Sequence, residues 1–91
     1  MRNAARTDSN QAEIAKALRD IGVQVEYIKL PVDLLLWVPR RQRWELMEVK
    51  TPEGRLTKDQ VDFIARSLGP VHVVHSVREA LDAVVGAEAI A

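Results

Sequence analysis

Pro31-Val32-Asp33-Leu34-Leu35-Leu36-Trp37-Val38-Pro39-Arg40-Arg41-Gln42-Arg43-Trp44-Glu45-Leu46-Met47-Glu48-Val49-Lys50 is the stretch that decides how this chain folds. Val32–Val38 and Arg43–Val49 are rich in β-branched, aromatic and large aliphatic residues, the composition of strands. Pro39-Arg40-Arg41-Gln42 between them is polar and opens on a proline, as a tight turn requires. With those four residues in the turn, Val38 pairs with Arg43 and, counting outward, Asp33 pairs with Glu48. Side chains alternate along a strand, so Asp33, Leu35 and Trp37 share a face with Trp44, Leu46, Glu48 and Lys50. The open end of the hairpin thus carries two carboxylates and a lysine.

Residues directly opposite on paired strands have Cβ atoms about 4.5–5.5 Å apart, and like charges there are destabilising. A cation between Asp33 and Glu48 removes that cost. Hard oxygen ligands at this density suit Mg²⁺ or Mn²⁺, which bind through one or two carboxylates plus waters and substrate phosphate. The backbone carbonyl of Val49 is the natural third protein ligand. Lys50, on the same face, is placed to orient an attacking water or to offset charge on a phosphate. The competing reading is a surface hairpin with ordinary Glu48–Lys50 and Asp33–Lys50 ion pairs. The strand context favours a divalent-metal phosphodiesterase site.

Working outward, residues 1–8 read as a polar, flexible arm with Arg2 and Arg6. A helix is predicted from about Ser9 to Ile21, capped by Asp8 or Ser9 and closed by Gly22, with Ile14, Ala15, Leu18 and Ile21 as its apolar stripe. Val23–Leu30 reads as a first strand. After the hairpin, Pro52 and Gly54 mark a loop, and Thr57-x-x-Gln60 is a capping box opening a helix to about Leu68, with Val61, Ile64, Ala65 and Leu68 inward. Gly69-Pro70 stops it. Val71–Val74 is a short strand, Ser76-x-x-Glu79 opens a last helix to about Val85, and the tail from residue 86 to 91 is free to fray. The order αβββαβα describes a mixed β-sheet flanked by helices in one α/β domain spanning residues 1–91.

At the hairpin the chain resembles the PD-(D/E)xK nuclease superfamily, with its restriction-endonuclease-like core, and within it the virus-type replication-repair nuclease (VRR-NUC) group, which is similar to archaeal Holliday-junction resolvases. Beyond Asp33, Glu48 and Lys50, the run Gln11-x-x-Ile14-x-x-x-Leu18-x-x-x-Gly22 looks like that family's opening helix. Gly54-Arg55-Leu56-Thr57-Lys58-Asp59-Gln60-x-x-Phe63 is similar to its "L-T-x-x-Q" helix start. The likeness covers about residues 6 to 85. One departure stands out: family members usually carry a glycine-rich turn and a contiguous Pro-Asp, whereas this chain has Lys29-Leu30-Pro31-Val32-Asp33. That bears on substrate choice more than on the metal site.

The resemblance implies an Mg²⁺- or Mn²⁺-dependent endodeoxyribonuclease, structure-specific for branched DNA such as Holliday junctions. Symmetric branched DNA is most simply cut by a two-fold dimer, and Val71–Val74, Leu81–Val85 and the Trp37/Trp44 face offer more apolar surface than one small core needs, so a homodimer is expected. The resemblance also gives Gln11 a role, since resolvase-type relatives usually carry a glutamate near the metal at that position. The local alternative for Gln11 is a cap with Asp8. Glu13 either pairs with solvent and Lys16 or reaches the metal through water. Gln60 either supports the active-site hydrogen bonds or simply caps its helix. The alternative function, from a different class, is a catalytically silent nuclease-fold module for nucleic-acid binding or assembly.

Ninety-one residues, 47% hydrophobic and 29% charged, are ordinary globular composition. The absence of cysteine rules out disulfides and thiolate metal sites, and together with the lack of a signal-peptide pattern it points to a reducing cytoplasm; the resemblance implies that of a bacterial or phage-infected cell. Thirteen basic and thirteen acidic residues balance to zero, but Arg40, Arg41, Arg43, Lys50, Arg55 and Lys58 gather around the hairpin and the loop after it. Arg40, Arg41, Arg55 and Lys58 are the expected phosphate contacts, with salt-sensitive affinity. His72 and His75 read as surface or strand-edge histidines. Trp37 and Trp44 either pack together, stack on a base or meet a second copy.

Overall fold

A computed structural model describes residues 9–86. The expected N-terminal arm, the Asp8 cap and residues 87–91 of the tail lie outside the described residues. The elements are α1 (Ser9–Asp20), β1 (Gln24–Tyr27), β2 (Leu34–Val38), β3 (Arg43–Val49), α2 (Lys58–Arg66), β4 (Val71–Val74) and α3 (Val77–Val85), in the order αβββαβα. The sheet runs β1-β2-β3-β4, with the first two pairings antiparallel and β3–β4 parallel. A parallel pair needs a crossover connection, and α2 supplies it.

The hairpin register is the counted one, from Val38 opposite Arg43 to Leu34 opposite Met47. The period of two then sorts the residues. Leu34, Leu36, Val38, Met47 and Val49 face α1 and α3, where they form the core with Ile14, Ala15, Leu18, Val74, Ala80 and Val84. Fully burying one such aliphatic side chain stabilises the fold by about 1.5–3 kcal/mol. On the opposite face Leu35, Trp37 and Leu46 are only half-buried and Trp44 is exposed. Trp37 and Trp44 pack edge to face, with ring centroids 5.4 Å apart at 64°.

Three boundaries differ from expectation. Ile21 lies beyond the end of α1 and is 49% exposed, because the chain turns at Gly22 (φ 94°) instead of continuing the stripe. β1 stops at Tyr27 and β2 starts at Leu34. Between them the N–H of Ile28 donates to the carbonyl of Asp33 (2.9 Å), Lys29 takes a left-handed φ of 73°, and Pro31 has no N–H to extend a ladder. The largest difference is α2. It ends at Arg66, with Ser67 extended (ψ 132°) ahead of Gly69-Pro70, and buries no side chain fully. Val61 and Ala65 are exposed, Leu68 is wholly exposed beyond the helix, and only Gln60, Phe63 and Ile64 are half-buried. The core is already closed from the other face by α1 and α3, so the α2 stripe meets no second core.

Candidate active site

Where β2 and β3 separate, Asp33 stands one step beyond the last ladder pair, Leu34–Met47. Its carboxylate takes over the missing backbone partner: Oδ2 accepts from the N–H of Val49 at 2.9 Å. A residue's N–H and C=O face the same neighbouring strand, so the Val49 carbonyl also lies on the Asp33 side of β3. Glu48 points to the face away from the core yet its side chain is only 2% exposed. Its Oε2 accepts from Gln60 Nε2 (2.8 Å) and lies 3.2 Å from Lys50 Nζ. Its Oε1 is buried with no hydrogen-bond partner.

Leaving a buried acceptor unsatisfied costs about 1–3 kcal/mol, more for a charged one. The electrostatics agree. Burial pushes the Glu48 carboxyl above its ordinary value, the negative charge of Asp33 pushes it further, and Lys50 opposes both. Asp33, Glu48 and Lys50 are thus brought together, with a carboxylate oxygen held out of water and lacking a donor. Two carboxylates and a nearby backbone carbonyl form a hard-oxygen donor set that a small divalent cation fits.

Gln60 does both of the things its position allows. Its Oε1 accepts from the N–H of Thr57 (2.9 Å) and its N–H donates to Thr57 Oγ1 (3.1 Å), completing the capping box, while its Nε2 holds Glu48. The cap therefore sets the angle at which the amide reaches the carboxylate. From α1, the side chain that reaches this region is Asn10. Its Nδ2 donates to the carbonyls of Lys50 (3.2 Å) and His75 (3.5 Å), tying the start of α1 to the ends of β3 and β4. Gln11 is buried beside Ile14 and Ala15 on the inner side of α1, and Glu13 is exposed. Among the described residues no group of three His, Cys, Asp or Glu side chains is spaced to hold a metal, which leaves Asp33, Glu48 and the backbone. Nothing local marks Asn10, since its partners are 40 and 65 residues away.

The basic residues divide into two groups. Arg55 and Lys58 are exposed in the loop after Lys50 and at the start of α2, Lys58 pairing with Asp62 at 2.8 Å. Arg43 lies five strand residues, about 17 Å, from Glu48, and Arg40 and Arg41 sit beyond it in the turn. Of these Arg41, expected to meet phosphate, is engaged inside the fold: Nη1 donates to Glu45 Oε1 (2.9 Å) and Nη2 to the carbonyl of Ala83 in α3 (2.8 Å). Arg43 Nε reaches Glu45 Oε2 at 2.8 Å and His72 Nε2 lies 2.7 Å from Glu45 Oε1. His72 is therefore no mere strand-edge residue. It belongs to a charged cluster around the fully buried Glu45 carboxylate, which the sequence reading missed. Burial works against the charged form of Glu45, but the hydrogen bonds from His72 and Arg43 and the charge of Arg41 hold its carboxyl below the usual range.

Removing one member of a buried ion cluster leaves a charge uncompensated, at a cost of about 3–5 kcal/mol for an isolated pair. With Arg43 and His72 remaining on Glu45, we expect Arg41→Ala to lower stability by about 1–3 kcal/mol through its lost bonds to Glu45 and Ala83. Urea denaturation reads this directly, and an unchanged midpoint would remove Arg41 from the framework.

The family model of the VRR-NUC domain matches residues 4–78. Comparison with curated proteins and with solved structures gives no match.

Proposed function

Since the chain belongs to the VRR-NUC domain family, a nuclease-type domain, we propose that it is an Mg²⁺- or Mn²⁺-dependent endodeoxyribonuclease that hydrolyses phosphodiester bonds in branched DNA such as Holliday junctions. One observation carries this reading: the buried, unpartnered Oε1 of Glu48 beside the Asp33 carboxylate and Lys50. A purely structural glutamate at this depth would have its oxygens satisfied. Glu45, whose two oxygens take three partners, is the contrast within the same strand.

In this reading Asp33, Glu48 and the carbonyl of Val49 hold the cation. When bound, such an ion polarises a phosphoryl oxygen and acidifies water. Gln60 fixes Oε2 of Glu48 so that Oε1 stays turned to the site. Lys50, its ammonium against Glu48, orients the attacking water or offsets negative charge that develops on the phosphate. Asn10 anchors the backbone of Lys50. Gln11 supports the metal site from α1, and Glu13 reaches it through water. Arg55 and Lys58 contact phosphates beside the acid pair, and Arg40 contacts a phosphate at the turn end of the hairpin. The lack of cysteine fits a reducing cytoplasm.

Symmetric branched DNA is most simply cut by a two-fold dimer. Val74 and Val84 are committed to the core, so the dimer contact falls to the half-exposed face of Trp37 and Trp44. The test is a panel of end-labelled junction, flap, fork and linear DNAs incubated with and without Mg²⁺, with light scattering on the same preparation. Cutting of branched DNA that needs the metal, by a species of about twice the 10.2 kDa chain mass, is expected. DNA binding with no product under any metal would replace the enzyme with a silent binding module. A one-chain mass with and without junction would remove the dimer.

A further inference from the structure

Between the loop that precedes Asp33 and α2 lies a groove of about 450 Å³, lined by Leu30, Pro31, Asp59, Asp62, Phe63 and Arg66. None of these residues has a part in the hydrolysis described above. Both walls are continuous with the acid pair. Pro31 is two residues before Asp33, and two residues of extended chain span at most about 7 Å. Asp59 directly precedes Gln60, whose amide holds Glu48, and Phe63 is one helical turn beyond Gln60. Whatever fills the groove therefore lies about one nucleotide from a phosphate at Asp33 and Glu48.

The charges of the lining nearly cancel, with Asp62 paired to Lys58 at 2.8 Å and Arg66 lining the groove with Asp59, so the groove gathers none of the positive charge a phosphate needs. It is suited to a flat ring with polar N–H edges. Phe63 offers a half-buried aromatic face, and the guanidinium of Arg66 lies 5.3 Å from its ring centroid, so the two make a cation–π platform. The carboxylates accept hydrogen bonds only, and the exocyclic amino groups of adenine, cytosine and guanine donate them. A paired base offers neither its face nor its pairing edge; an unpaired base offers both.

We propose that this groove is a subsite for one unpaired, amino-bearing nucleobase next to the phosphate at the acid pair, so that the protein recognises a branch point by a base left unpaired there. The position of the phosphate rests on the nuclease reading; the base contact does not. In this arrangement Phe63 stacks on the base, Arg66 backs the stack, and Asp59 and Asp62 receive its amino group. Leu30 and Pro31, just ahead of Asp33, form the apolar opposite wall.

The experiment measures binding by fluorescence anisotropy in Ca²⁺ at a concentration where no product forms. The probes are forked DNAs carrying adenine, thymine or an abasic site at each of the three unpaired positions nearest the branch. Base–aromatic stacking is worth enough that wild type should bind the adenine fork about tenfold more tightly than the abasic one at one of those positions, with thymine between. Phe63→Leu, which keeps an apolar side chain but has no ring, should shrink that ratio to about twofold. Equal affinity of wild type for adenine and abasic forks at all three positions overturns the subsite without any variant, as does a full preference in Phe63→Leu. Mg²⁺-dependent cutting is read in parallel. Cutting without base preference sinks the subsite and spares the nuclease; base preference without cutting does the reverse.

Discussion

Lys50→Ala abolishes cutting while DNA affinity stays within a few-fold of wild type: this is the expected result that separates chemistry from binding. Lys50 Nζ lies 3.2 Å from Glu48 Oε2, with its side chain 18% exposed, so it is held against the acid pair and not extended into solvent. A preorganised charge that meets developing negative charge is worth about 10²–10³ in rate when removed. As a ground-state phosphate contact, the same ammonium accounts for only about one unit of the salt slope. Arg55→Ala combined with Lys58→Ala should do the opposite. Both side chains are exposed, and the Lys58–Asp62 pair lost with them is a surface pair of little energetic weight. Binding should weaken on all DNA forms and its salt dependence flatten, with the cutting step spared at saturating protein. Wild type and Lys50→Ala that bind DNA alike and are equally inert with Mg²⁺ and Mn²⁺ would make the silent module the better description.

The second large effect is on stability, and its sign is unusual for a candidate catalytic residue. Glu48→Gln should raise the melting temperature of the metal-free protein by several degrees at neutral pH, since about 1 kcal/mol moves Tm by about 4–8 °C in a domain this small. The amide keeps the volume and still accepts from Gln60 and Lys50, but removes a buried charge facing Asp33. The pH dependence follows from the raised carboxyl. The folded protein holds the Glu48 proton more tightly than the unfolded chain, whose value is near 4.5. The stability contributed by this group is therefore complete below about pH 4.5 and is lost as pH rises through the higher folded value. Glu48→Gln lacks that decline. Mg²⁺ acts the other way, stabilising wild type at neutral pH through binding to the folded form, by about 2.7 kcal/mol at a hundred times its Kd. Asp33→Asn should respond much less. Equal Mg²⁺ responses in wild type and Asp33→Asn, or a metal-free Glu48→Gln that melts below wild type, would dismantle the metal site.

Much of this architecture is legible in short stretches of sequence, because the interactions that set it are local. The four-residue turn and the two-residue period of strands place Asp33 one step past Leu34–Met47 and opposite Glu48 by arithmetic alone. Thr57-x-x-Gln60 and Ser76-x-x-Glu79 announce the starts of α2 and α3, because a cap satisfies backbone donors within its own first turn. The same arithmetic puts Glu45 on the inward face with Met47 and Val49, although nothing nearby says that such a charge can be tolerated there.

That tolerance, and the rest of the site, came from tertiary structure. Glu45 is buried because His72 arrives on the parallel β4 strand, 27 residues on, and Arg41 bridges from the turn to α3. Asn10, and not its neighbour Gln11, reaches the Lys50 backbone because of how α1 lies across the ends of β3 and β4. The stripe Val61, Ile64, Ala65 and Leu68 looked inward by periodicity, but a period specifies only which side of a helix is apolar. Whether that side is covered depends on what remains to be covered, and α1 and α3 had already closed the core. Alternation and capping are decided within a few residues of chain and can be read from it. Burial and partnership depend on which distant segments meet, and that is determined only when the whole chain packs.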